Sequence, residues 1–73
     1  MKLYCINGDI VSLNHIQIVI VAGFSCMLQF SESSKHVFTF SKEAEAQAMR
    51  NEIYKAMIEP EENMTYISDL KPL

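Results

Sequence analysis

The first forty residues alternate between short apolar runs and polar turns, a pattern typical of β-strands. Asn7-Gly8 separates two apolar stretches and is the strongest short signal for a β-hairpin. A three-residue loop over residues 7–9 would place Leu3 opposite Leu13 on the partner strand. The pattern therefore predicts an N-terminal hairpin.

A second predicted hairpin turns at Gly23. Residues 16–21 are rich in β-branched side chains, which suit a pleated strand. We prefer a three-residue loop ending at Gly23, because it places the isoleucines of this strand on the core face, where they fill more volume than valines. In that register Val19, Val21 and Met27 lie on the opposite face of the sheet. A two-residue loop would instead bring Val19 and Val21 to the core face.

A third predicted hairpin joins residues 24–30 to residues 36–40 through a polar loop. The expected pairing sets Leu28 opposite Phe38, and Phe24 lies on the same face. This hairpin would present an aromatic and aliphatic surface to the core.

Residues 41–58 carry the only helical periodicity in the chain. The apolar residues of this stretch recur at three- and four-residue spacing: Ala46, Met49, Ile53, Ala56 and Met57. Ser41 is the expected N-cap, and Pro60 is expected to stop the helix. Because Glu52 belongs to the polar face, we expect Ile53→Ala to destabilise the fold and Glu52→Ala to have little effect.

Together these elements predict an α+β fold. A small antiparallel β-meander of four or five strands, packed by one C-terminal helix, would form a single domain over residues 1–58. Residues 59–73 would form a short acidic amphipathic tail. This tail could add an edge strand, cover the second face of the sheet or dock on another molecule.

The charge distribution narrows the choice of partners. The chain of 73 residues has a net charge of −3, and residues 1–58 contain five acidic and five basic side chains. The negative charge therefore lies in the tail, which argues against a nucleic-acid partner because phosphate recognition depends on clustered Lys and Arg. No apolar run reaches transmembrane length, and no basic leader with a long apolar centre is present. We expect a cytoplasmic protein without a membrane partner.

The residue types with metal or nucleophile chemistry are widely spaced. Cys5, His15, Cys26 and His36 lie at least ten positions apart, whereas zinc ligands usually come in close pairs. A glycine-rich phosphate loop is absent, and the two cysteines are typical of reduced core thiols. We therefore expect no cofactor, no metal ion and no enzymatic activity.

The second-face apolar residues are more than one helix can cover. Either the tail buries them or they bind another molecule. We prefer the second interpretation: a non-enzymatic protein-protein interaction module that occludes a partner surface, a role filled by small accessory or inhibitor proteins of bacteria and phages. The candidate partner-binding residues are Val19, Val21, Met27, Glu59, Glu61, Glu62, Tyr66 and Asp69.

Three mechanisms stay open at this point. In an inhibitor, the acidic side chains would compete with phosphate for a basic groove. In a self-assembling structural subunit, the partner would be the chain's own copy, and a homodimer would add stability that so short a chain needs. The third mechanism is a small-ligand or metal-binding module that uses the Cys and His residues.

Overall fold

The computed structural model describes all 73 residues, which form six strands and one helix. The strands are Lys2–Ile6 (β1), Asp9–Ser12 (β2), Ile18–Ala22 (β3), Ser25–Gln29 (β4), Lys35–Thr39 (β5) and Met64–Ser68 (β6), and the helix is Glu43–Ile58 (α1). One turn of 3₁₀ helix, Leu13–His15, follows β2. The predicted α+β fold of antiparallel hairpins and a single helix is confirmed.

The strands are divided between two three-stranded sheets. Sheet A has the order β2-β1-β6, in which β1 is antiparallel to β2 and parallel to β6. Sheet B has the order β3-β4-β5 and is antiparallel throughout. The chain passes from one sheet to the other at the 3₁₀ turn, where Leu13 is buried and Asn14 Oδ1 accepts a hydrogen bond from Lys2 N at 2.8 Å.

Part of the predicted tail is a strand of sheet A. β6 pairs with the whole length of β1, and the ring of Tyr66 stacks on that of Tyr4 with centroids 5.6 Å apart. The amino nitrogen of Met1 donates to Glu62 O at 3.0 Å at the start of this pairing. Of the three alternatives for the tail, the edge strand is the one observed.

The core lies where α1 meets both sheets. The helix contacts β3 and β4 of sheet B and β1 and β6 of sheet A. The 12 buried residues are Tyr4, Ile6, Val11, Leu13, Cys26, Leu28, Phe38, Phe40, Ala46, Met49, Ile53 and Ala56. The predicted helical stripe is therefore buried except for Met57, which is 41% exposed.

The predicted register of the first hairpin is wrong by one residue. Leu3 opposes Ser12, and only Asn7 and Gly8 form the loop, with φ of 48° and 89°. Positive φ at both loop residues is the mark of a type I′ turn, whose twist matches that of the flanking strands. Asn and Gly tolerate this conformation, so the shorter loop is favoured.

The loop of the second hairpin is also shorter than we preferred. Ala22 opposes Ser25, which leaves Gly23 and Phe24 as a two-residue loop. Positive φ at Gly23 alone, 58°, indicates a type II′ turn, which requires glycine at its first position. Phe24 consequently lies in the turn and is 51% exposed, not on the core face as predicted.

The third hairpin has the predicted faces with a different pairing. Cys26, not Leu28, opposes Phe38, because a bond from Phe30 N to Ser34 O at 2.8 Å closes a shorter loop. A shift of two residues leaves the same side chains on the same face. Leu28 and Phe38 are therefore both buried as expected.

The helix begins one residue later than predicted. Its N-cap is Lys42 rather than Ser41, and no side chain caps the first turn. The hydroxyl of Ser41 donates to the Glu45 carboxylate at 3.2 Å and does not cap the helix. The C-terminal end at Ile58, before Pro60, is as predicted.

Candidate interaction surface

The acidic candidates do not form a single cluster. Glu59, Glu61 and Glu62 are exposed on the loop between α1 and β6, whereas Asp69 is exposed beyond the far end of β6. A strand of this length separates them by roughly 16 Å. Lys2 Nζ also donates to Glu59 O at 2.5 Å, which brings a positive charge to the acidic loop.

Three of the other candidates face the interior. Tyr66 packs against Tyr4, and Val19 and Val21 are partly buried against the core. Because the loop at Gly23 has two residues, Val19 opposes buried Leu28 and shares its face. The prediction that Val19 and Val21 lie on the second face is wrong.

The outer face of sheet B carries a different apolar set. Ile20, Met27 and Val37 lie directly opposite one another across the three strands, and we call them the outer apolar row. Ile20 is 42% exposed and Val37 is 54% exposed, and Ile18 on the same strand is 45% exposed. Met27 is thus the one predicted apolar candidate on this face. The isoleucines of β3 occupy the positions expected for its valines.

β3 is an edge strand. The hydrogen bonds that β4 makes to its two neighbours show which backbone groups of β3 are unpaired. Phe30 N donates to Ser34 O and Phe40 N donates to Phe24 O, both at 2.8 Å. The even-numbered residues of β4 therefore bond to β5. Its odd-numbered residues must bond to β3, because successive residues of a strand direct their backbone groups to opposite sides.

The partners of those odd-numbered residues are Ile18, Ile20 and Ala22. Val19 and Val21 lie between them and direct their N–H and C=O groups away from β4. No other strand pairs with β3, and no loop or tail hydrogen bond reaches these two residues. β3 consequently presents two donors and two acceptors at the spacing that an added strand requires.

β3 also lacks the features that usually protect an edge strand. Residues 10–31 contain no Asp, Glu, Lys, Arg or Pro, and such residues are the common protection against edge pairing. β5 begins with Lys35, and its far end is covered where Leu73 N donates to Thr39 O at 2.7 Å. β6 is followed directly by Asp69, and the edge strand β2 begins with Asp9 and has only four residues. The least protected edge of the molecule is therefore β3.

A cleft of about 440 Å³ opens between β2 and the inner side of sheet B. Its lining residues are Asp9, Ile10, Val11, Ser12, His15, Phe30, His36 and Phe38. The His36 ring packs on that of Phe38 at a centroid distance of 4.5 Å, and Ser12 Oγ is buried without a hydrogen-bond partner. No three His, Cys, Asp or Glu side chains are grouped so that they could hold a metal ion. The cleft has aromatic walls without a nucleophile and base oriented by a third group.

A second polar group lies under the helix. The hydroxyls of Tyr4 and Ser68 both donate to Glu52 Oε1 at 2.7 Å. Burial, reinforced by the hydrogen bond to the Glu52 carboxylate, raises the pKa of the Tyr4 hydroxyl above its usual value. The partners belong to β1, α1 and β6, so this network ties the helix to sheet A. The expectation that Glu52 lies on a purely solvated face is wrong.

The cysteines are both free thiols, Cys26 in the core and Cys5 partly buried. Burial raises the pKa of the Cys26 thiol to about 11, although the positive charge of Arg50 opposes this in part. The Cys26 thiol is therefore protonated at neutral pH and is a poor nucleophile. Its role in this structure is to pack the core.

No helix of the chain has both the length and the apolar content required to span a bilayer. Comparison with known proteins gives no match: no protein-family model, no curated protein and no solved structure is similar to the chain at a significant level.

Proposed function

We propose that the chain is a non-enzymatic protein-protein interaction module that binds its partner by adding a strand to β3. The observation that carries this proposal is the open edge of β3, where the backbone groups of Val19 and Val21 have no partner. In strand addition the main-chain hydrogen bonds supply affinity, and alternate side chains supply specificity.

The side chains around this edge favour an apolar partner segment. An added strand would lie beside Ile18 and Ile20 on the outer face, next to the outer apolar row. Every second residue of the partner would contact this surface. Charged residues at those positions would lose hydration without gaining an ion pair, since residues 10–31 carry no charge. We therefore expect β-branched or aromatic residues there.

Selection of binders to the purified protein from a displayed library of short random peptides tests the proposal. The matched variants are Ile20→Lys, beside the open edge, and Ile10→Lys, which replaces an exposed isoleucine on β2 of sheet A. Peptides selected on the wild-type protein should bind Ile10→Lys equally well and Ile20→Lys at least tenfold more weakly. Tenfold corresponds to about 1.4 kcal/mol.

Hydrogen exchange adds a residue-level measurement to the same experiment. The amides of Val19 and Val21 should become protected when a selected peptide is bound, because they acquire acceptors. Peptides that bind both variants equally and leave these two amides unprotected would contradict strand addition to β3. Melting curves of the variants, recorded beside the wild type, show that each is folded.

A further inference from the structure

We infer that the strand added to β3 is the β3 of a second copy of this chain. The two strands would pair antiparallel about a two-fold axis passing beside Ile20. This inference rests on the proposed function, because it uses the same edge.

The free backbone groups favour one register of such a pair. With Ile20 opposite its own copy, Val19 of each chain lies opposite Val21 of the other and exchanges two hydrogen bonds with it. The pair thus has four backbone hydrogen bonds, which use every free group of both residues. A register with Val19 opposite Val19 would bring Val21 opposite Gln17, whose N–H already donates to Gln29 O at 2.8 Å.

The side chains are self-complementary in the same register. The two Ile20 side chains form a non-hydrogen-bonded pair, in which Cβ atoms lie roughly 4.5–5.5 Å apart. Met27 and Val37 of each copy extend this contact, because they stand beside Ile20 in the outer apolar row. Two separate apolar rows would become one continuous stripe across six strands.

Charge also favours this edge over other surfaces. The chain has a net charge of −3, so two copies repel one another over most approaches. Residues 10–31 carry no Asp, Glu, Lys or Arg, and two β3 edges therefore meet without like charges opposite one another. Electrostatic repulsion between two copies is therefore smallest when they meet at the uncharged edge of β3.

The dimer is expected to be reversible. The chain has an accessible surface of 4769 Å², close to the ~4,600 Å² that the size relation gives for a monomer of this mass. One copy therefore closes its core alone. We also expect a contact between two five-residue strand edges to bury less than the ~1,600 Å² of a standard stable interface. Self-association should consequently depend on concentration.

Sedimentation equilibrium measures this dependence. The mass of the wild-type chain should rise from 8.3 kDa toward twice that value as concentration increases. The Ile10→Lys control should behave in the same way. Ile20→Lys should remain monomeric, because it places two positive charges opposite each other at the axis. A wild-type chain that stays monomeric at millimolar concentration, or an Ile20→Lys variant that still dimerises, would overturn the inference.

A cysteine substituted at the axis tests the register. In a Cys5→Ser background, glutathione disulfide should oxidise Ile20→Cys to a disulfide between two copies. The two cysteine thiols at position 20 lose their hydrogens, and one molecule of glutathione disulfide becomes two molecules of reduced glutathione. Val37→Cys is the control, since it lies on the same face two strands from the axis. Equal cross-linking of both variants, or none of Ile20→Cys, would overturn the inferred pairing.

The two proposals fail in distinguishable ways. If the wild-type chain is monomeric but selected peptides still bind it and not Ile20→Lys, the inference of a second copy is overturned and strand addition stands. If peptide binding is also indifferent to Ile20→Lys, both proposals are overturned.

Discussion

One carboxylate oxygen of Glu52 accepts hydrogen bonds from the hydroxyls of Tyr4 and Ser68. Removing this carboxylate would leave both hydroxyls without an acceptor beneath the helix. We expect Glu52→Ala to lower the free energy of unfolding by about 1–3 kcal/mol, the usual cost of an orphaned buried donor. Urea denaturation monitored by circular dichroism measures this change. Glu61→Ala, an exposed loop control, should remain within about 0.5 kcal/mol of wild type.

A conservative variant at position 52 separates the contribution of the two hydrogen bonds from that of side-chain packing. Glu52→Gln keeps an acceptor oxygen of similar reach, so it should lose less stability than Glu52→Ala. Equal stability of Glu52→Ala and Glu61→Ala would show that the contacts to Tyr4 and Ser68 contribute nothing measurable.

Cys26 gives the fold a dependence on alkaline pH. Its pKa is raised from about 9 to about 11 by burial, so the unfolded chain releases this proton at a lower pH than the folded one. The unfolded state therefore binds fewer protons between these values, and stability should fall as pH rises from about 9 toward 11. Urea midpoints measured across this range should decline for wild type and decline less for Cys26→Ala.

Tyr4 acts in the same direction, because the pKa of its hydroxyl is also raised by burial. For that reason Cys26→Ala should reduce the alkaline slope without abolishing it. An unchanged slope in the variant would mean that the thiol does not take part.

At the scale of elements, α1 is held to both sheets by one buried face. Ile53 is 1% exposed at the centre of that face, and its truncation should cost about 2–5 kcal/mol, as other buried large-to-small changes do. Met57→Ala should cost much less, since Met57 is 41% exposed. Thermal unfolding compares the two variants, and equal shifts in melting temperature would contradict the orientation of the helix.

Helix and strand periodicities are local properties, and this is why the sequence predicts the elements well. Ala46, Met49 and Ile53 are buried at their expected spacing, and the end of α1 follows from Pro60. Strand register depends instead on loop length. At Gly23, glycine in the first position of a two-residue loop is the signal for a type II′ turn, and it would have given the correct faces of β3.

The division into two sheets has no local signal. β1 pairs with β6 across nearly the whole chain, and a parallel neighbour has no connecting turn that a sequence pattern could indicate. Prediction of the outer apolar row was limited for a related reason, because strand pairing decides which side chains share a face. Met27 and Val37 could be placed on the outer face because their strands alternate clearly, whereas the face of Ile20 depends on the loop length at Gly23.

At the scale of the whole molecule, β6 is the strand on which sheet A depends. Deleting residues 64–73 would leave β1 without its parallel neighbour and remove the contacts of Tyr66 and Ser68. We expect the truncated chain to lose cooperative thermal unfolding. The measurement is a melting curve followed by far-ultraviolet circular dichroism.

A matched variant separates this loss from a loss of charge. Replacing Glu61 and Glu62 with Gln removes negative charge from the same part of the chain and leaves β6 intact, so its melting temperature should remain close to that of wild type. A truncated chain that unfolds as cooperatively as wild type would mean that sheet A is stable with two strands.

The pairing of β1 with β6 also has a consequence for biosynthesis. The ribosome makes residues 2–6 early, but their parallel neighbour, residues 64–68, emerges only after sheet B and the helix have been translated. The nascent chain therefore exposes an incomplete sheet A and the uncharged edge of β3 at the same time. We expect such a chain to bind a chaperone until β6 is released from the ribosome.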